Sequence, residues 1–305
     1  MNTIINNKIK LFIVIAILVL LVSASSFFLL NTIEEDIDCF NSNNIGLVGN
    51  SGVCKGLLVV DREMLYQKIL REGGVEVGGV LYTASLPNGV FTGQIQDFSS
   101  SSGDGFVPNN FNEDISYWDM SSATNMSSFF SNAALFNQPL DSWDVSNVEN
   151  MSMMFFNATS FNQPLGNWDV SNVRDMVFMF EDAILFNQPL DNWDMSSVHD
   201  ISGMFSFATS FNQPLNNWDV SNVIEMYGVF FGATSFNQPL NNWDVSNVEF
   251  FDYMFEDAVS FNQDLTRWNV NSAIDCTGFD LNTQSWENNL KPQFLISCEE
   301  GLFWN

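Results

Sequence analysis

One fourteen-residue word, SFNQPLNNWDVSNV, runs from Ser210 to Val223 and again from Ser235 to Val248. Around it the chain keeps a strict period of 25 residues. Phenylalanines recur at Phe111, Phe136, Phe161, Phe186, Phe211, Phe236 and Phe261, and tryptophans at Trp118, Trp143, Trp168, Trp193, Trp218, Trp243 and Trp268. A fixed period of this length marks a solenoid, whose units bury their apolar faces only against their neighbours. Identical side chains then stack in columns. Phe136, Trp143, Phe161, Trp168, Phe186, Trp193, Phe211, Trp218, Phe236 and Trp243 are expected in the core, each buried phenylalanine stabilising the fold by roughly 1.5–3 kcal/mol.

The full unit reads FNQPLxxWDVSNVxxMxxMFxxAxx. Leu140, Trp143, Val145 and Val148 have the spacing that opens a leucine-rich repeat, and Trp143 and Val145 alternate with Asp144 as in a short strand. Val148, Met151, Met154, Phe155 and Ala158 recur at steps of three and four, which predicts one face of a helix, with Ser146 as N-cap and Glu149 completing a capping box. Pro139, Pro164, Pro189, Pro214 and Pro239 keep each preceding helix from continuing. The expected fold is an α/β solenoid: a leucine-rich-repeat-like right-handed array of seven 25-residue strand-turn-helix coils with small N- and C-terminal caps.

The ends of the chain do not keep the period. Lys8 and Lys10 precede Leu11–Leu30, twenty uncharged residues long enough to cross a bilayer, and Glu34, Glu35 and Asp36 follow. Residues 1–10 are then a cytoplasmic N-terminus and 11–30 a transmembrane signal anchor, and everything after about residue 31 is exported. A signal peptide cut after Ala24 is the alternative, and it exports the same part of the chain. Residues 31–98 read as an N-terminal cap region, 99–110 as a flexible linker around SSSSGDG, 111–275 as the seven repeats and 276–305 as a C-terminal cap. Four cysteines flank the array, and short loops favour Cys39 with Cys54 and Cys276 with Cys298 as disulfides of an oxidising compartment.

Charge excludes one class of partner. Thirty-six acidic residues against nine basic ones give a formal net charge of −27, and between Phe111 and Asp275 the basic side chains are Arg174 and Arg267. Nucleic acid needs clustered cations, so it is not an expected partner. The acids themselves form a column through Asp144, Asp169, Asp194, Asp219 and Asp244. Full charges stacked about 4.8 Å apart repel by roughly 0.9 kcal/mol per pair even at the dielectric constant of water. Three offsets are open: hydrogen bonds from backbone N–H groups just ahead, a column of calcium ions, or basic residues of a partner. The Asn column from Asn112 to Asn262 suits amide hydrogen bonding along the array.

The positions that vary from coil to coil, Glu149, Arg174, His199, Ile224 and Glu249, are candidates for a partner face. His199 is the one histidine in the chain, so the sequence supports no Ser-His or Cys-His nucleophile, and no catalytic residues and no cofactor are expected.

Residues 111–270, with FNQPL, WDVSNV and MxxMF recurring, resemble the BspA-like leucine-rich-repeat surface proteins and the related repeats of mycoplasma surface lipoproteins. The segment LVVDREMLYQKIL, Leu58–Leu70, looks like the strand and helix that precede the array in some bacterial members. The resemblance implies a cell-surface or secreted protein that uses stacked repeats for adhesion or contact with an extracellular protein or surface ligand, without catalysis. The chain departs from that pattern in having no lipobox cysteine after the hydrophobic segment, so its surface attachment is either the N-terminal helix or missing. A structural surface or wall component stabilised by calcium is one alternative. A carbohydrate-binding module using an exposed tryptophan ladder is another.

Overall fold

The computed structural model describes residues 39, 41–49, 54–85, 87, 89–100 and 105–298. The expectations for residues 1–38, the hydrophobic segment included, lie outside the described residues. Among the described residues no helix is long and apolar enough to cross a membrane.

From Phe111 onward the chain winds in coils whose equivalent residues lie over one another. The rings of Phe136 and Phe161 stack with centroids 6.0 Å apart and planes 12° from parallel, and Phe161–Phe186 and Phe186–Phe211 repeat the 6.0 Å spacing. Trp143 stacks on Trp168 at 6.5 Å and Trp218 on Trp243 at 6.2 Å, each pair within 4° of parallel. A third column, Phe155, Phe180, Phe205 and Phe230, packs against the first at 4.0–4.1 Å. All ten core aromatics named from the repeat are buried. Offset ring pairs like these contribute beyond the area they bury.

The backbone differs from the expected strand-turn-helix coil. Over Val148–Ala158 it makes consecutive turns and no helix. Met154 N–H donates to the Met151 carbonyl, Phe156 N–H to Met153 and Ala158 N–H to Phe155, while the alternate N–H groups of Met151, Met153, Phe155 and Asn157 donate to Asp175, Val177, Met179 and Glu181 of the next coil at 2.7–3.0 Å. A helix would consume those groups internally. It would also reject the left-handed residues that recur twice per coil, among them Met153 (φ 57°) and Asn157 (φ 54°). The apolar spacing of three and four is satisfied all the same, because turns closed by i→i−3 bonds bring the same residues to one side. Val148, Met151, Met154, Phe155 and Ala158 are all fully buried.

No capping box forms either: the Ser146 hydroxyl donates to Asp144 Oδ1 at 2.6 Å, and Glu149 carries a neighbour-to-neighbour backbone bond. No strand is formed at the expected Trp143–Val145 either, which lies between two turns. Trp143 N–H bonds the Leu140 carbonyl and Val148 N–H bonds that of Val145. Strand-like pairing is confined to one residue per coil, the parallel bridges linking Asn125, Asn150, Asp175, Asp200, Glu225, Phe250 and Asp275.

Side-chain hydrogen bonds explain why the polar letters of the repeat do not vary. Asn137 Oδ1 accepts the Asn162 N–H at 2.9 Å and the Gln163 Nε2 at 3.0 Å, and Asn112, Asn162, Asn187, Asn212 and Asn237 act alike on their next coils. The indole of each repeat tryptophan from Trp143 to Trp268 donates to the carbonyl 28 residues earlier at 2.8–3.1 Å. Asn147, Asn172, Asn222 and Asn247 donate Nδ2 to serine carbonyls of the preceding coil. These polar groups thus find their partners one coil away, and a substitution leaves an unpaired group between coils.

Both ends continue this core. Strand β1 (Leu58–Val59) precedes helix α1 (Met64–Arg71), a wide π-type helix burying Leu65, Ile69 and Leu70. A hairpin of β2 (Val75–Val77) and β3 (Val80–Tyr82) follows, and β4 (Val90–Phe91) returns parallel to β1. The hairpin turns on Gly78 (φ 60°) and Gly79 (φ 81°), a two-residue turn that needs left-handed residues at both places. The Thr124 N–H donates to the Gln96 carbonyl and the Phe98 N–H to Asn125. Within 99–110, expected as a flexible linker, Phe106 and Val107 are buried and donate to the Phe129 carbonyl, and 101–104 lie outside the described residues.

The seventh coil runs on past the boundary expected at residue 275, with Tyr253, Phe255 and Asp257 donating to Thr277, Phe279 and Leu281. Trp286 then takes the phenylalanine place of a further turn and meets the Phe261 ring edge-on at 4.7 Å. Disulfides join Cys39 to Cys54 and Cys276 to Cys298.

Candidate partner-binding face

The five variable residues form one straight, exposed column. Glu149, Arg174, His199, Ile224 and Glu249 each donate a backbone N–H to the residue 25 positions earlier, at 2.8–3.0 Å, and their side chains face solvent. Beside them stand the bridge residues Asp175 and Asp200, half-buried, and Glu225, exposed. Burial raises the Asp175 carboxyl above its ordinary value, and the Asp200 charge adds to the effect; Glu225 is raised by burial, then by Asp200 and Glu249.

The aspartate column is satisfied within its own coil. Asp144 Oδ1 accepts the Ser146 N–H at 3.1 Å and its hydroxyl at 2.6 Å, Asp169 and Asp219 do the same with Ser171 and Ser221, and Asp194 and Asp244 accept from the N–H of Ser196 and Ser246. These are Asx turns. The serine bonds hold Asp169 and Asp244 below the usual carboxylate range. Among the described residues no three His, Cys, Asp or Glu side chains gather as a metal site. Nor is there an exposed tryptophan ladder for sugars, since the repeat tryptophans are buried with their indoles bonded inward.

A second face lies on the consecutive turns. In coil order its outward positions carry Met153 and Phe156, then Phe178, Glu181 and Asp182, then Phe207, then Tyr227 and Phe231, then Tyr253, Glu256 and Asp257. Phe207 is 37% exposed and Tyr227 42% exposed. The Phe207 and Phe231 rings meet at 4.7 Å and those of Tyr227 and Tyr253 at 5.8 Å. The carboxyl of Glu181 is pushed up to about 7 by burial and by Asp182, and that of Asp252 to about 6 by burial and a hydrogen bond with Asp275. Rings and carboxyl groups held on a rigid backbone can take an apolar stem and a positive or polar head together.

Reading the turns as a helix concealed this face. The sequence signal for it is the run Asn132, Asn157, Asp182, Gly232, Asp257 and Asn282, residue types that tolerate the left-handed conformation, recurring at one place in the unit.

No curated protein and no solved structure matches the chain. One family does, described as Mycoplasma protein of unknown function, DUF285, over residues 100–209 and again over 185–292, together more than half of the 305 residues. Matched twice along the stack and over more than half of its length, this chain is a member of the DUF285 family of mycoplasma repeat proteins.

Proposed function

We propose that the stacked coils constitute one leucine-rich-repeat-like solenoid, akin to the BspA-like surface proteins, that is exported and makes contacts with an extracellular partner without catalysis. The observation that carries this reading is the turn face: exposed rings at Phe207 and Tyr227 beside half-buried carboxyl groups, on a backbone tied to its neighbours at alternate residues. Large apolar side chains gathered on a rigid surface are what an interface centre needs, since little ordering entropy remains to be lost on binding. Export is supported by the paired disulfides at both ends and by the apolar run Leu11–Leu30 after Lys8 and Lys10.

The test is binding of the full chain to intact cells, compared with a double variant, Phe207→Ser with Tyr227→Ser, whose unfolding curve matches that of the parent. Loss of cell binding in the variant is the expected result. Binding that is undiminished, or absent in the parent as well, overturns the reading.

A further inference from the structure

The asparagine ladder of the repeat has an open rung at its start. From Asn137 to Asn262, each ladder asparagine gives its N–H, and the glutamine after it gives its Nε2, to the Oδ1 of the asparagine one coil earlier. At the far end the ladder is closed, because Asn262 Oδ1 accepts the N–H of Glu287 at 3.1 Å. The first coil has no such predecessor. Asn112 offers its Oδ1 to Asn137 and Gln138, but among the described residues nothing accepts the N–H of Asn112 itself. The glutamine place is altered as well, since Glu113 stands where every later coil has glutamine.

In the later coils these N–H groups point to the coil before, so that of Asn112 points to the N-terminal cap. A cavity of about 500 Å³ lies there, lined by Leu70, Arg71 and Glu72 at the end of α1 and by Phe111, Asn112 and Glu113 of the first coil. Several of its charged groups already have partners. Glu72 pairs with Lys68 at 2.7 Å, and the Arg71 guanidinium lies 4.9 Å over the Tyr66 ring while its Nη2 donates to the Tyr66 hydroxyl and the Gly105 carbonyl. Glu113 Oε2 accepts the Ser85 hydroxyl at 2.7 Å, which leaves Oε1 to accept from a ligand, one residue along from the unmatched N–H. A group that completes this rung must therefore accept from Asn112 and donate to Glu113.

We propose that this cavity binds an asparagine side chain of an extracellular polypeptide, whose carboxamide oxygen accepts the Asn112 N–H while its NH2 donates to Glu113. A carboxamide carries an acceptor and a donor on one carbon, which is the pairing the rung leaves open. A carboxylate would meet Glu113 as a like charge, and an ammonium has no acceptor for the N–H. The repeat itself names the occupant, because a polypeptide asparagine fills the equivalent place ahead of every later coil. The cavity has room for the residues on either side, lying within the roughly 300–1,000 Å³ of ligand pockets, with Leu70 and Phe111 as its apolar lining. This site is separate from the turn face and adds a contact with its own side-chain preference.

The experiment titrates the full chain with labelled Gly/Ser peptides that carry one leucine followed by asparagine, aspartate or alanine. The asparagine peptide is expected to bind about tenfold or more tightly than the other two. The variant E113Q restores the residue that every later coil has at this place, so its unfolding curve should match the parent's. It gives the rung two donors near Arg71, and the preference should reverse, with the aspartate peptide binding about tenfold more tightly than the asparagine peptide. Equal affinity for the three peptides, no binding of the asparagine peptide, or an E113Q variant that keeps the parent's preference would each overturn the proposal. The double variant Phe207→Ser with Tyr227→Ser should bind the asparagine peptide as the parent does, so peptide binding and cell binding report on the two surfaces separately. Peptide binding lost in that double variant would move the peptide to the turn face and overturn the proposal too.

Discussion

The indole Nε1 of Trp168 donates to the carbonyl oxygen of Leu140, in the preceding coil, at 2.9 Å. Trp168 is therefore both a stacked ring and the donor that satisfies a buried carbonyl. Trp168→Phe keeps most of the ring and leaves the carbonyl unpaired, so it should cost about 1–3 kcal/mol. Trp168→Ala should cost about 3–5 kcal/mol. Chemical denaturation of both variants checks the order: equal costs would mean that the hydrogen bond contributes nothing.

Asn162 Oδ1 accepts the Asn187 N–H and the Gln188 Nε2, each at 2.9 Å. Asn162→Ala orphans both donors and should destabilise by about 1–3 kcal/mol. Asn162→Asp retains the acceptor and should recover most of that loss. An Asp variant no better than Ala would show that the amide ladder is incidental to stability.

Gly203 combines φ 62° with a Phe178 ring lying over it. Gly203→Ala meets two penalties, a left-handed Cβ worth about 1–2 kcal/mol and the clash with the ring. Combining it with Phe178→Ala removes the clash and leaves only the backbone penalty, so the double variant should be markedly less destabilised than the sum of the two singles. Additive losses in a double-mutant cycle would refute the overlay of ring on glycine.

Glu181 titrates at about 7 in the fold, against an ordinary value of 4.5, because it is desolvated and sits beside Asp182. The folded chain then binds more protons than the unfolded chain between about pH 4.5 and 7, so this group lowers stability as pH rises through that window and adds nothing further above it. Asp252, raised to about 6, acts in the same direction from about pH 4. Asp169, Asp244 and Asp264 are depressed by their serine and threonine bonds, so the stability they contribute is present above about pH 4 and is lost in stronger acid. Thermal stability should therefore be greatest in mild acid, near pH 4–5, and Glu181→Gln should flatten the decline toward pH 7. A variant whose pH profile matches the parent would sink this assignment.

Trp286 covers the last coil, edge-on to Phe261 and 5.2 Å from Phe255. Trp286→Ala bares both rings, so a loss of about 3–5 kcal/mol is expected, together with association between exposed ends that rises with concentration. Light scattering across a dilution series checks the second effect; a strictly monomeric variant would count against the capping role.

By itself the sequence determined the period and the residues of each core column. Trp143 and Phe136 are buried because each equivalent position repeats an aromatic ring, and only stacking gives all of those rings an apolar neighbour at once. Cysteine spacing likewise pointed to the pairs that the structure joins. The tertiary structure alone decided the path of the backbone between those columns. Spacings of three and four at Val148, Met151, Met154, Phe155 and Ala158 suit a helix and a train of turns equally. What separates the two is whether the N–H groups of Met151, Met153, Phe155 and Asn157 bond within the coil or to the next one, and that partner exists only once coils are stacked. The same choice turned Phe178, Phe207, Tyr227 and Tyr253 outward, because a left-handed residue in every turn aims its neighbours where a helix would not.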